Sequence, residues 1–176
     1  MATFVCLLGY ILVQQDIRMG ANDPQIQIAE DSARALEMGA SLSSIMPTYR
    51  DDMAASLAPY IVLYDAQGHV LASSVVLHGI VPIVPNGVFV RAKQSGETRI
   101  TWQPESGVRS AIVIASFEGG GGSGFVLVGR SLREVEKRED NLLSIVGVAW
   151  IAALIFFFGL AYLLVRVYKK TIPHIS

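Results

Sequence analysis

The spacing of hydrophobic and polar positions changes several times along the chain. From Leu142 to Val165, 24 consecutive residues carry no charged side chain. At 1.5 Å per residue this makes about 36 Å of helix, enough to cross a hydrocarbon core of ~30 Å with some tilt. A core helix of a soluble domain shows a polar stripe over such a length, so the segment reads as transmembrane. Tyr162 and Tyr168 near its far boundary suit an interfacial belt, with Trp150 further inside. A second apolar stretch, Ala2 to Val13, is too short to span. It has neither a basic start nor a small-x-small cleavage pattern after Val13, which argues against a signal peptide. It is expected to be a first membrane helix, either missing an upstream turn from this chain or starting without a basic flank. Cys6 then reads as a membrane-facing apolar residue.

Between these stretches the pattern first turns helical. Residues 22–46 open on Asn22 or Asp23 before Pro24, a helix-start signal. Ile26, Ala29, Ala33, Leu36, Ala40 and Ser43 recur at spacings of three and four and share one seam. The seam is mostly small, which suits packing against a sheet or against a second helix of a dimer. Pro47 is expected to end this helix, which could form one rod with the first membrane segment.

From Pro59 the period shortens. Residues 59–65 and 69–74 are β-rich runs around a turn that closes on Gly68, hence a hairpin. Tyr60, Val62 and Tyr64 share one face while Ile61 and Leu63 share the other, as on an interior strand. Leu77 to Pro85 reads as a loop. Asn86 is expected to cap a short helix through Ser95 that closes at Gly96, although Val88, Phe89 and Val90 also suit a strand. Strict alternation predicts a strand over 98–103, followed by a turn at 104–107. Apolar runs predict further strands at 108–116 and 125–129. The glycine-rich stretch 118–124 reads as a flexible hairpin loop, since no phosphate-binding pattern follows it. Ser131 then stands as N-cap and Glu134 at the capping-box position of a helix that runs into the membrane span.

Composition agrees with a membrane protein: 52% hydrophobic residues, 16% charged and a mean hydropathy of +0.45, against about 25% charged in soluble proteins. A net charge of −1 offers no footprint for nucleic acid. One cysteine excludes a disulfide framework. All 15 acidic residues lie between Asp16 and Asp140 beside 11 basic ones, whereas Arg166, Lys169 and Lys170 follow the apolar run. By the positive-inside rule the tail is cytoplasmic and the middle segment faces outward. The expected organisation is therefore a membrane segment at 1–13, an extracytoplasmic domain at 14–141, a membrane helix at 142–165 and a tail at 166–176.

The run Tyr64-Asp65-Ala66-Gln67-Gly68-His69-Val70-Leu71-Ala72-Ser73-Ser74 resembles the first hairpin of extracytoplasmic PAS-like modules, the PDC or Cache domains of two-span bacterial receptors. Gly129-Arg130-Ser131-Leu132 resembles their exit from the last strand into the signalling helix. The likeness spans about residues 22–141 and includes the order of elements. It implies an α+β fold: a five-stranded antiparallel sheet with a long N-terminal helix, followed here by the transmembrane helix. It also implies a bacterial cytoplasmic-membrane location and a small ligand, often a carboxylate or amino acid, held between the sheet and its covering segments. The arginine–aromatic pattern of the amino-acid-binding members is not clearly present, and no kinase, methyl-accepting or HAMP segment follows the span.

Among candidate ligand-binding residues, Trp102 and Arg109 sit on strands joined by a tight turn. Together they could hold a carboxylate through a bidentate guanidinium beside an aromatic plane. Equally, Trp102 could be core and Arg109 a solvated charge. Tyr60 and Tyr64 offer hydroxyls or serve as amphipathic core. Arg99 and Arg91 are weaker candidates. His69, His78 and His174 lack ligand spacing, so no metal or other cofactor is expected, and no catalytic constellation appears. The expected function is sensing: the domain binds a small polar ligand and relays a displacement through the membrane helix to a homodimer mate or a membrane signalling partner. The alternative is a ligand-free interaction or assembly module using the same fold. A third reading makes the chain a fragment of a longer receptor.

Overall fold

A computed structural model of the chain describes residues 7–9, 11–13, 15, 23–120 and 122–171. In chain order the elements are α1 (Asp23–Glu37), α2 (Leu42–Ile45), β1 (Asp51–Asp52), β2 (Tyr60–Asp65), β3 (Val70–Ser73), β4 (Val75–Val76), α3 (Gly87–Ser95), β5 (Glu97–Glu105), β6 (Val108–Gly119), β7 (Gly122–Ser131) and α4 (Arg133–Thr171). Two units emerge, one of residues 17–136 and one of residues 1–16 with 137–176.

The first unit is α+β, built on a five-stranded antiparallel sheet in the order β3-β2-β7-β6-β5. Its three inner strands are apolar on both faces, because both faces are covered. Ile61, Leu63, Val113, Ala115, Val126 and Val128 meet Ala29, Ala33 and Leu36 of α1 on one side, the helix face. Tyr60, Val62, Tyr64, Ile112, Ile114 and Leu127 meet α3 and a short parallel ribbon, β1 with β4, on the other. Met53 and Val75 are the ribbon's anchors in that second core.

Several sequence-based boundaries need correction. The helix expected over 22–46 stops at Glu37. Gly39 adopts φ 90°, Gly39 N donates to Leu36 O at 3.0 Å and Ala40 N donates to Ala35 O at 2.9 Å, the paired bonds of a Schellman stop. Glycine thus ends the helix before Pro47 does, and Ala40 and Ser43 leave the seam. The segment 87–95 is helical, but Asn86 makes no side-chain capping bond. Strand β5 runs on through Pro104, which an edge strand tolerates because no ladder partner needs its missing N–H.

The glycine-rich stretch is hairpin strand as far as Gly119 and Gly122, which pair with each other. A Cβ at Gly119 would lie 2.5 Å from Glu37 O, and one at Gly124 would lie 2.2 Å from Tyr64 O. These glycines admit close backbone approach; they do not serve as a linker. At the sheet exit, Ser131 ends β7 and its Oγ accepts from Arg133 N at 3.3 Å, while Leu132 stands between strand and helix.

In the second unit, residues 7–9 and 11–13 are helical, with Leu7, Leu8, Ile11, Leu12 and Val13 exposed. The rest of the expected first membrane segment, Cys6 and the proposed rod through residues 16–22 lie outside the described residues. Helix α4 is long and apolar enough to cross a membrane, with a mean hydropathy of 2.5 in its most apolar stretch and none of that stretch buried.

Candidate functional site

The second core is where chemistry-bearing side chains converge. Because residues alternate along a strand, Tyr60, Val62 and Tyr64 project together under the ribbon and α3. Across the ladder they oppose Gly129, Leu127 and Phe125. A Cβ at Gly129 would lie 2.2 Å from Tyr60 Cζ, so the missing side chain makes room for the phenol to lie across β7. Next along the sheet, Ser110 opposes Ser131 on β7 and Trp102 on β5.

Three hydroxyls on this face, those of Tyr60, Tyr64 and Ser110, are buried with no hydrogen-bond partner. Their residues expose 3%, 2% and 0% of their surfaces. An unsatisfied buried hydroxyl costs about 1–3 kcal/mol, and such groups are few in native proteins. Burial pushes both phenols above the usual tyrosine range. The Ser110 hydroxyl beside Tyr60 counters part of that rise. Both phenols therefore stay protonated at neutral pH and offer an O–H donor. Beside them Tyr64, Phe89 and Phe125 stack at tilted angles, with centroids 4.8 and 5.1 Å apart, and form an aromatic wall.

Trp102 lies on the same face, 8% exposed, within the core. Arg109 does not join it. One residue from Ser110, it projects from the opposite face and donates through Nη1 to Glu136 Oε1 of α4 at 2.8 Å. Arg99 is also exposed and bonds Glu97. The predicted Trp102–Arg109 carboxylate clamp is thus not assembled, whereas Tyr60, Tyr64 and Trp102 do share one face. Arg91 is exposed on α3. Clefts of about 280, 300 and 270 Å³ open on this unit, and none of these three is lined by Tyr60, Tyr64, Trp102, Arg99 or Arg109.

Sequence reasoning missed Ser110 and Gly129. Each is a small residue interrupting an otherwise apolar strand, and that interruption was the available signal. It also missed the root of α4. Leu132 N donates to Arg109 O at 2.8 Å, and the Arg133 guanidinium donates to Ala54 O at 3.1 Å and Ala55 O at 2.8 Å. Since Met53 N donates to Val76 O at 2.8 Å, the turn after β1 links the β1–β4 ribbon to the start of the exit helix.

His69 pairs with Asp65 and His78 with Glu105, both at the surface, and His174 lies outside the described residues. Among the described residues no group of His, Cys, Asp and Glu could hold a metal ion. No protein-family model matches the chain, and no curated protein matches it.

Proposed function

We propose that this chain is a membrane-anchored sensory module of the PAS/Cache kind, with residues 14–141 outside a bacterial cytoplasmic membrane and the basic tail inside. Support comes from the α+β sheet domain, the apolar helix α4 and the excess of positive charge after it. One observation carries the sensory part: Arg133, first residue of α4, grips the turn that follows β1, and Met53 at the start of that turn packs on the Tyr60 face. A ligand that shifts the ribbon would pull on the helix root, and the helix carries that displacement toward a homodimer mate or a membrane partner. The module is read as non-enzymatic.

The packing of Trp102, Tyr60 and Tyr64, none of which lines any of the three clefts, favours a second reading. In it the same fold is a ligand-free docking module for a membrane assembly.

Two measurements on the full chain test these readings. Single cysteines at Ser106 and Lys169, in a Cys6→Ser background, should react differently with an impermeant maleimide in intact cells. Position 106 should label, and position 169 should label only after permeabilisation. A thermal-shift screen against carboxylates, amines and neutral compounds should then yield a hit that slows amide exchange at both 53–56 and 132–136. A hit without any change at 132–136 would remove the relay and leave a docking or storage role.

A further inference from the structure

We propose that the loop between β4 and α3 rests in the interfacial layer of the bilayer that α4 enters, with Ile80 and Ile83 turned into the lipid; the inference rests on the membrane-anchored reading above. From Ala66 to Val90 the chain carries no Asp, Glu, Lys or Arg, a run as free of charge as the apolar stretch of α4. Within it Leu77, Val81 and Val84 pack into the second core. Ile80 and Ile83 point outward, 74% and 87% exposed, and Ile83 is more exposed than Phe158 of α4 at 72%. The loop is ordered in advance. Leu77 N donates to Ile80 O at 2.8 Å and Ile80 N to Leu77 O at 3.1 Å, with φ 50° at His78 and 83° at Gly79, a two-residue hairpin turn. Pro82 and Pro85 stiffen the backbone that follows.

The loop's place in the fold selects its occupant. His78 Nε2 lies 2.9 Å from Glu105 Oε2, Glu105 pairs with Val108, and the carbonyl of the next residue, Arg109, accepts from Leu132 N. The Leu77–Ile80 hairpin therefore stands at the end of the sheet from which the chain leaves for α4. The charge-free run begins at Leu142, ten residues after Leu132, which is about 15 Å of helix. That tether holds the exit end of the sheet close to the bilayer. An irregular loop keeps its backbone in the wet headgroup layer and lends only its apolar side chains to the lipid. Two side chains fall far short of the roughly 800 Å² per partner that a stable protein interface buries.

Charge does not draw the loop to the surface. Beside it stand Arg50, Asp51 and Asp52 at the ribbon and the His78–Glu105 pair, with no excess of positive charge. The Arg133 guanidinium is spent on Ala54 O and Ala55 O, and Arg109 on Glu136. Arg91 lies past the loop on α3, and Lys93 lines a cleft with Gly124 at the opposite end of the sheet. Contact is thus apolar and should not need anionic lipid.

The test uses the full chain in nanodiscs of phosphatidylcholine, with Cys6→Ser and one fluorophore on a cysteine at Ile80, Ile83, Gln67 or Phe157, each variant shown folded by circular dichroism. Position 67 marks the far end of the sheet, where Asp65 pairs with Gly124, and position 157 marks the span. Lipid bearing a nitroxide near its headgroup should quench labels at 80 and 83 several-fold more than the label at 67. Quenching at 80 and 83 no stronger than at 67, with 157 quenched by nitroxides deeper in the acyl chain, overturns the loop contact and leaves the membrane anchor standing. Labels at 80 and 83 shielded from iodide yet untouched by the lipid nitroxide would reveal a protein face instead, a second copy or a partner, and overturn it too. Quenching that appears only after phosphatidylglycerol is added overturns the apolar basis. An unquenched label at 157 removes the membrane reading, and the loop contact falls with it.

Discussion

Trp102 and Arg109 stand on strands joined by one turn yet project from opposite faces of the sheet, because Trp102 pairs with Ser110 and not with Arg109. Their substitutions should therefore behave differently. Trp102→Ala empties part of a packed core and is expected to cost about 3–5 kcal/mol. Arg109→Ala removes a half-exposed ion pair with Glu136, expected to cost less than about 1 kcal/mol after solvent screening. Denaturant unfolding of the full chain in micelles checks the contrast. Equal costs would mean that the two side chains share an environment after all.

Gly129 and Tyr60 form a second such pair. An alanine methyl at 129 would land 2.2 Å from the Tyr60 ring, which is 3% exposed. Gly129→Ala is expected to destabilise by about 1–3 kcal/mol through overpacking. Adding Tyr60→Ala should recover part of that loss, so the two substitutions should couple in a double-mutant cycle. Strict additivity would show that the ring does not fill the glycine's space.

At the helix root, Arg133→Ala frees two carbonyls on the ribbon segment. Loss of hydrogen bonding worth about 1 kcal/mol makes local opening about fivefold more frequent, readable as faster amide exchange over residues 53–56. Arg133→Lys should protect only partly, since one ammonium does not reproduce a planar two-armed donor. Unchanged exchange in Arg133→Ala would detach the ribbon from the exit helix.

Asp65 is expected to couple the first hairpin to acid pH. Its Oδ1 accepts from Gln67 N at 2.9 Å and His69 N at 2.8 Å, and Oδ2 lies 3.0 Å from His69 Nδ1. The His69 amide foremost, these contacts hold the carboxyl below its usual value of 3.8. A carboxylate depressed on folding contributes stability that is present above the unfolded value and is lost as pH falls through the folded one. Asp65→Asn should therefore melt lower than the native chain at neutral pH, and the gap should close below about pH 4. Parallel melting curves down to about pH 2 would remove Asp65 from the acid response.

Features carried by local periodicity were legible in the chain before folding. The charge-free run from Leu142, the two-faced apolar strand at Tyr60 and the helix–turn signals around Asp23 each depend on neighbours within a few residues. Glycine was read less well, because its meaning depends on what lies across from it. Gly119 and Gly124 look like a linker until the Glu37 and Tyr64 carbonyls appear beside them. The short strands β1 and β4 carry almost no periodic signal, being two residues each and paired across 24 positions of sequence.

What the amino-acid order settled alone was that a helix starts near Asp23, an interior strand runs through Tyr60 and a membrane-compatible helix runs from Leu142, since those preferences arise within a turn or two of backbone; it did not settle where the elements stop. Tertiary structure decided which side chains meet. Strand pairing has a period of two, so a one-residue change in register sends every side chain to the other face. Between Trp102 and Glu105 the ladder does shift. That irregularity separates Arg109 from Trp102, while the β6–β7 and β7–β2 registers place Ser110, a residue with no motif of its own, on the face with Tyr60 and Tyr64.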